Sequence, residues 1–291
     1  MKGRRKKFVG NIGGQQKKDI QDDFLKYWDQ ITPGNAGKWG VVMPEPETYQ
    51  WESMDNVYSF AKKNNLVLKQ HTFVWGMQEP KWIHQLLPGT QKPFVEKWIK
   101  TFCERYPELD LIDVVNEPLT LPAPYRWSIG GPGETGWDWI VTAFSLVRAA
   151  SPHAKLLINE HSVLRDSGKM DEYLKIVNVL KERELLDGIG LQGHFLEDTP
   201  VSVIEENLRK AEDIGLPVYI SEFDVDIPDD KRQLKILSSI FKIFWNHEPI
   251  KGITFWGYRE NNMWRKNGYL IRADGSLRPA MEWLMEYILE R

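Results

Sequence analysis

The chain has little cysteine, little net charge and no long apolar run. One cysteine, Cys103, among 291 residues excludes an intrachain disulfide and any cysteine-rich zinc site. With 38 Lys+Arg against 41 Asp+Glu the formal net charge is −3, which argues against a general nucleic-acid binder, since that needs a basic stripe. No apolar stretch reaches the roughly 18 residues that a spanning helix requires. Low-complexity tracts and Ser/Gly-rich linkers are missing too, and no point divides the chain, so one domain over residues 1–291 is expected. Residues 1–7 are basic, but no apolar segment follows to complete a signal peptide. That run reads as a solvated terminus rather than a nucleic-acid or targeting patch. What the chain has in excess is tryptophan: 13 Trp against 12 Phe and 10 Tyr.

Short β-rich apolar runs alternate with longer amphipathic stretches. The runs are 8–12, 35–42, 66–75, 111–116, 155–160, 188–194, 217–223 and 252–258. Most are rich in Val, Ile and Leu almost throughout, the pattern of strands buried on both faces of a parallel sheet. Helical patterns lie between and after them, over 18–30, 52–64, 93–106, 137–150, 168–185, 201–214, 231–246 and 279–290. Pro93 and Pro279 suit a first helical turn. Asp229 and Asp230 put negative charge at the front of the seventh helix, where the macrodipole favours it. Eight strands alternating with eight helices predict an α/β fold, a single (β/α)8 TIM barrel. A doubly wound sheet is the alternative, but Gly10, Gly13 and Gly14 do not form the G-x-G-x-x-G phosphate loop that it normally carries.

A barrel puts its active site at the C-terminal ends of its strands. The third run ends in His71-Thr-Phe-Val-Trp75, followed by Gln78. The fourth ends in Asn116-Glu117-Pro118, the fifth in Asn159-Glu160-His161 and the sixth in Gln192-Gly-His194. The seventh ends in Ser221-Glu222-Phe223-Asp224, and the eighth in Trp256-Gly-Tyr258-Arg259, with Trp264 soon after. Any one acidic residue there would cap the next helix; six polar strand ends together point to a site. Strands four and seven face each other across the mouth, so Glu117 and Glu222 suggest the paired carboxylates of a retaining glycosidase, about 5–5.5 Å apart. Indoles beside them suit the apolar C–H faces of sugars. Metal catalysis would draw on His71, His194 and Glu222, but no His-Glu-x-x-His helix or His-x-His pair is present, and neither metal nor cofactor is expected.

These motifs, in order over nearly the whole chain, resemble glycoside hydrolase family 10, the barrel endo-β-1,4-xylanases. The resemblance implies that Glu117, in D-V-V-N-E, is the general acid/base and that Glu222, in I-S-E-F-D, is the nucleophile. Asn116 matches the residue that hydrogen-bonds the sugar 2-hydroxyl. His71 and Trp75, in H-T-F-V-W, match residues around the −1 sugar, and Gln78 a further amide. Gln192 and His194, in G-L-Q-G-H-F, match the pair that contacts the two carboxylates, with Asp224 orienting the His. Asn35 and Lys38, in G-N-A-G-K-W, match the glycone-side pair at −2. Trp256 and Trp264 match the indoles over the −1 and −2 sugars, and His161 stands where the family has its +1 Tyr platform. The implied substrates are xylan and xylo-oligosaccharides, with no nucleic-acid or membrane partner, acted on by a monomer. Most of the family is secreted, which implies export with a leader absent from this chain; an intracellular member is the alternative. The same machinery on another β-1,4-glycan, or a non-catalytic glycan-binding barrel, are the rival functions.

Of the indoles, Trp28, Trp98, Trp245 and Trp283 fall in helical patterns and are expected to pack helices on the barrel. Trp39, Trp75, Trp256 and Trp264 follow strand ends and are expected at the mouth, while Trp51 and Trp82 fit either role. Trp127, Trp137 and Trp139 border a long loop over 119–135 that could form part of the aglycone side. Several positions depart from the family pattern: Gly34 replaces a Glu, Ala36-Gly37 a Glu-Met pair, Gly76 a His, Glu160-His161 an Asp-Tyr pair and Ile112 a Trp. A lost carboxylate at −2 removes a charge-assisted bond of about 1.5–3 kcal/mol, so a more open glycone subsite is expected.

Overall fold

The structure, a computed structural model, describes residues 7–14 and 20–289. Eight strands form a closed barrel in sequence order: β1 (Phe8–Gly13), β2 (Gln30–Pro33), β3 (Val67–Val74), β4 (Leu111–Asn116), β5 (Lys155–Glu160), β6 (Gly188–Gly193), β7 (Val218–Phe223) and β8 (Ile250–Phe255). Every neighbouring pair is parallel, and β8 closes onto β1 with Phe8 opposite Gly252 and Asn11 opposite Phe255. Strands β4, β6 and β7 are buried at every position, because helices cover the outside and side chains fill the inside.

The described helices are α1 (Phe24–Tyr27), α2 (Trp39–Val42), α3 (Glu52–Lys63), α4 (Lys92–Arg105), α5 (Asp138–Ala150), α6 (Ser167–Lys181), α7 (Val201–Glu212), α8 (Asp230–Asn246) and α9 (Pro279–Leu289). Their ends follow local chemistry. Pro93 sits in the first turn of α4, where its missing N–H costs nothing. Asp229 caps α8 by accepting from Arg232 N at 2.8 Å, and Asp166 caps α6 through Lys169 N at 3.0 Å. Cys103 is buried on α4, a packing residue. Two 3-10 turns, Lys81–Gln85 and Pro124–Ile129, lie in the loops after β3 and β4.

The barrel interior changes character along its axis. At the N-terminal end Leu111, Leu157 and Tyr219 form an apolar plug with Phe8 and Val67 against it. One layer further the interior is polar. Lys69 Nζ lies 2.9 Å from Asp113 Oδ2, both fully buried, and Thr254 Oγ1 donates to Gln30 Oε1 at 3.0 Å. The polar layer is the floor of the site.

The first third of the chain departs from expectation. The second strand is not 35–42 but Gln30–Pro33, and Trp39–Val42 is a short helix. The helix expected over 18–30 is only Phe24–Tyr27, with 18 and 19 outside the described residues. A four-residue strand whose Gln30 and Thr32 bond inside the barrel (Gln30 Nε2 to Thr32 Oγ1, 2.8 Å) has no apolar run to reveal it. The eighth strand ends at Phe255, leaving Trp256 and Tyr258 in the following loop. The basic segment 1–7 and the end of the last helix at 290 lie, apart from Lys7, outside the described residues.

Candidate active site

Glu117 follows the last residue of β4 and takes a positive φ of 52°, a conformation costing about 1–2 kcal/mol for a non-glycine residue. Its N–H is held by Asn159 O at 2.8 Å. Its carboxylate accepts from Gln192 Nε2 at 2.8 Å on Oε1 and from the Trp75 indole at 3.3 Å on Oε2. Glu222 lies in β7, with Oε2 at 3.2 Å from His194 Nε2 and Oε1 accepting from Asn159 Nδ2 at 2.8 Å. Asn159 Nδ2 also donates to Asn116 Oδ1 at 2.8 Å, which Gln192 Nε2 reaches at 3.4 Å. One run of amides therefore links the two carboxylates, from Gln192 through Asn116 to Asn159. With its oxygen accepting from both neighbours, Asn116 turns its Nδ2 donor the other way.

The two carboxyl groups are driven apart electrostatically. Burial raises the pKa of Glu117, and the charge of Glu222 raises it further, more than Gln192, Trp75 and Lys38 offset. Burial also pushes Glu222 up, but the His194 hydrogen bond, His71 and Lys38 outweigh it and bring the group to about 2. His194 would lose its charge to burial, yet Asp224, with Oδ2 at 2.9 Å from Nδ1, and Glu222 hold it up to about 9. Its ring is thus a cation with a carboxylate at each nitrogen, a donor rather than a metal ligand. Burial and the charge of Lys38 lower His71 despite Asp113. Its Nδ1 lies 2.8 Å from Asp113 Oδ2 and its Nε2 3.8 Å from Glu222 Oε1, so the ring bridges the buried Asp113 and the nucleophile candidate. A proton donor and an ionised nucleophile on one rigid barrel mouth can together cleave a glycosidic bond.

The glycosyl hydrolase family 10 model matches residues 4–287. The chain belongs to glycosyl hydrolase family 10. Within this family it is 35% identical over 289 residues to endo-1,4-beta-xylanase B of Cellvibrio japonicus (strain Ueda107), covering 98% of this chain and 46% of that protein; it thus spans about half of that relative. It is 30% identical over 280 residues to endo-1,4-beta-xylanase A of Caldicellulosiruptor saccharolyticus, covering 85% of this chain and 80% of that protein. Native xylanase 10B from Thermotoga maritima has a similar structure, with a TM-score of 0.84 at 26% identity over 98% of this chain and 97% of that one.

In this family 10 barrel most of the expected site residues come together. Trp256 stands edge-on to His71 at 5.1 Å and to His194 at 6.3 Å. Trp264, 53% exposed, donates its indole N–H to Asp224 Oδ2 at 3.0 Å and lies against His194 at 4.7 Å. Buried Lys38 has its ammonium 4.6 Å from the Trp75 ring centroid; burial brings it down to about 8. Gln78 Nε2 donates to Asn35 Oδ1 at 3.0 Å. His161 sits to one side, edge-on to Phe195 at 5.6 Å. Burial and the charge of His194 lower it to about 4.

Trp39 is the exception. It is buried in the core, stacked on Trp98 at 6.1 Å and edge-on to Trp82 and Tyr125; the strand thought to end near it does not exist, and the residue starts α2. Trp51, Trp82 and Trp139 belong to packing clusters as well, whereas Trp127 is 63% exposed on the loop after β4.

Some departures from the family pattern have packing reasons. A Cβ at Gly76 would lie 2.5 Å from Leu121 O and 2.8 Å from Pro122 O, so the loop after β4 occupies the place of a side chain there. A Cβ at Gly37 would meet Gln70 Oε1 at 2.4 Å, and Gln70 Nε2 donates to Gly37 O at 2.7 Å. Glu160 is buried and holds the same β4 loop, accepting from Leu119 N at 2.7 Å and Thr120 Oγ1 at 2.6 Å.

Sequence reasoning missed Asn159, which touches both Asn116 and Glu222. Its own oxygen accepts from Ser221 Oγ at 2.5 Å, and a flipped amide would turn that oxygen onto Asn116 Oδ1 and Glu222 Oε1 and lose both of those bonds. It also missed the support of His71 by Asp113 and Lys69, and that of Asp224 by Arg265 Nη1 at 2.6 Å. Replacing Asn159 by Ala removes a donor to an ionised carboxylate, worth about 1.5–3 kcal/mol. The expected result is a kcat about 10- to 150-fold lower on xylan, with the acid limb of the pH profile moved up and KM little changed. Unchanged kcat and acid limb would show that Asn159 only packs.

Proposed function

We propose that the chain is an endo-acting, retaining β-1,4-xylanase working as a single (β/α)8 domain on xylan and xylo-oligosaccharides. The supporting observation is the opposed pair: burial and the nearby charge push Glu117 toward its protonated form, and His194 holds Glu222 ionised. Glu222 attacks the anomeric carbon while Glu117 gives its proton to the departing glycosidic oxygen. A covalent glycosyl-enzyme forms and the aglycone leaves with the proton. Esterification removes the negative charge of Glu222, so the pKa of Glu117 falls and the group becomes a carboxylate. It takes a proton from water, whose oxygen attacks the anomeric carbon, releasing a β-configured sugar and restoring Glu222. Asn116 Nδ2 is oriented to bond the sugar 2-hydroxyl, an interaction that strengthens in the transition state. The chain's own residues carry every proton and the nucleophile, and no cofactor enters this scheme. We further propose that the enzyme acts as an exported monomer.

Xylose lacks the hydroxymethyl group of glucose, so a −1 position with Trp256 packed edge-on to His71 and His194 leaves less room for glucans than for xylan. Initial rates on xylan are expected to exceed those on carboxymethylcellulose by about 10- to 200-fold, the discrimination that one extra carbon gives in a shaped pocket. Fresh product should be the β-anomer by NMR. Equal rates would favour another β-1,4-glycan, an α-anomer would overturn retention, and binding without new reducing ends would make the barrel a lectin-like module.

A further inference from the structure

Beside the mouth, at the ends of β5, β6 and β7, lies a cavity of about 930 Å³. Its two sides are balanced differently. On the β6–β7 side the carboxylates have cationic partners: Arg265 Nη1 is 2.8 Å from Glu197 and Nε is 3.8 Å from Asp226, and Arg232 is 3.3 Å from Asp198. On the β5 side the one acid, Asp166, is engaged as the cap of α6. Exposed Arg165 and half-buried Lys169 have only neutral partners there. Arg165 Nε donates to Ser162 Oγ at 3.1 Å, its guanidinium carbon 5.5 Å from the Phe195 ring centroid. Lys169 Nζ donates to Thr120 Oγ1 at 2.9 Å. Among the described residues no carboxylate oxygen lies within 4.0 Å of either cation.

The position relative to the catalytic pair gives these two charges a use. Both are close enough to His161 to depress its titration. The rings run continuously from His161 to Phe195 at 5.6 Å, and from Phe195 to His194 at 6.2 Å and Trp264 at 5.8 Å. In the ring of eight strands β6 lies opposite β2, whose loop carries Asn35 and Lys38. A glycan that passes the catalytic pair from the Lys38 side therefore leaves it toward this cavity. The two cations line this cavity on its His161 side, and a guanidinium offers a carboxylate two parallel donors.

We propose that Arg165 and Lys169 form a binding site for the carboxylate of acidic sugar substituents, so that the enzyme prefers uronic acid-bearing xylan over uncharged xylan. This rests on the xylanase reading above. The test uses glucuronic acid-substituted xylan and the same polymer with its carboxyl groups reduced to alcohols, which removes the charge and leaves the branches. The full chain is expected to show a kcat/KM about five-fold higher on the acidic polymer, as two exposed ion pairs would give, and to lose that advantage in about 0.5 M salt. Arg165→Gln and Lys169→Gln should each reduce the advantage and together abolish it, with rates on the reduced polymer unchanged. Equal wild-type rates on the two polymers, or a double variant that keeps the preference, would overturn the site. So would an equal loss on both polymers, which marks a structural role. Cleavage of neither polymer by the wild-type chain would overturn the xylanase reading together with the site.

Discussion

Glu222→Ala is expected to lower kcat on xylan by about 10⁴-fold or more, the scale seen when a covalent nucleophile is removed, while the barrel still unfolds cooperatively and still binds xylo-oligosaccharides. The magnitude follows from the pathway. Without the carboxylate there is no glycosyl-enzyme, so the two-step route through a covalent intermediate is closed. The space vacated by the carboxylate admits a small anion. With an activated aryl β-xylobioside, added azide should attack from the face Glu222 used and give the α-configured glycosyl azide, inverted relative to the substrate. Normal turnover in Glu222→Ala, or a β-azide, would place the nucleophile elsewhere. His194 should respond as well. Its charge is held by Asp224 and Glu222 together, so in this variant its pKa should fall, measurable by NMR titration of the imidazole.

How much of this was legible before the fold was known depends on whether the signal was local. Strand β4 was readable to the residue because L-I-D-V-V-N is an apolar run ending in the residues that matter, and Lys155–Glu160 was equally clear. Strand β2 was not, because Gln30 and Thr32 turn their polar side chains into the barrel and bond there, so burial left no apolar trace. The same missing trace misplaces Trp39, which the sequence pattern sets at a strand end and the fold puts at the start of α2. Glu117, Glu222, Gln192 and His194 stand out because each is the last-but-one residue of a strand or directly follows one. Asn159 is the last-but-one residue of β5, but its function is the bridge between β4 and β7, a three-strand relation that no local pattern expresses. The departures Gly76 and Gly37 look like lost substrate contacts when read along the chain. In space they are exchanges of volume, the loop after β4 filling one and Gln70 the other. Each is intelligible only together with a partner distant in sequence.

Glu117→Ala should separate the two half-reactions. On xylan, whose leaving group is a poor one, loss of the general acid is expected to lower kcat/KM by about 10²–10⁴-fold. On a dinitrophenyl xylobioside the leaving group needs no proton, so glycosylation should proceed within about ten-fold of the wild-type rate. The glycosyl-enzyme then accumulates, because water has lost its base, and the signature is a burst of phenolate followed by a low steady state with a depressed KM. Azide should rescue the second step and give the β-configured azide, the opposite of the Glu222→Ala product. The pH dependence adds an independent check with a definite sign. Glu117 must be protonated, so wild-type kcat/KM falls as pH rises through its pKa, which burial and the charge of Glu222 hold above the usual carboxylate value. Glu222 must be ionised, so the rate falls on the acid side only toward about 2. In Glu117→Ala on the activated substrate the alkaline limb due to Glu117 should vanish. Only the steps from Lys38 and His194, near 8 and 9, then remain on the alkaline side, and the acid limb stays with Glu222. An alkaline limb at the wild-type position in this variant would mean that another group is the acid and that the hydrogen bonds of Gln192 and Trp75 to Glu117 serve only to hold the loop.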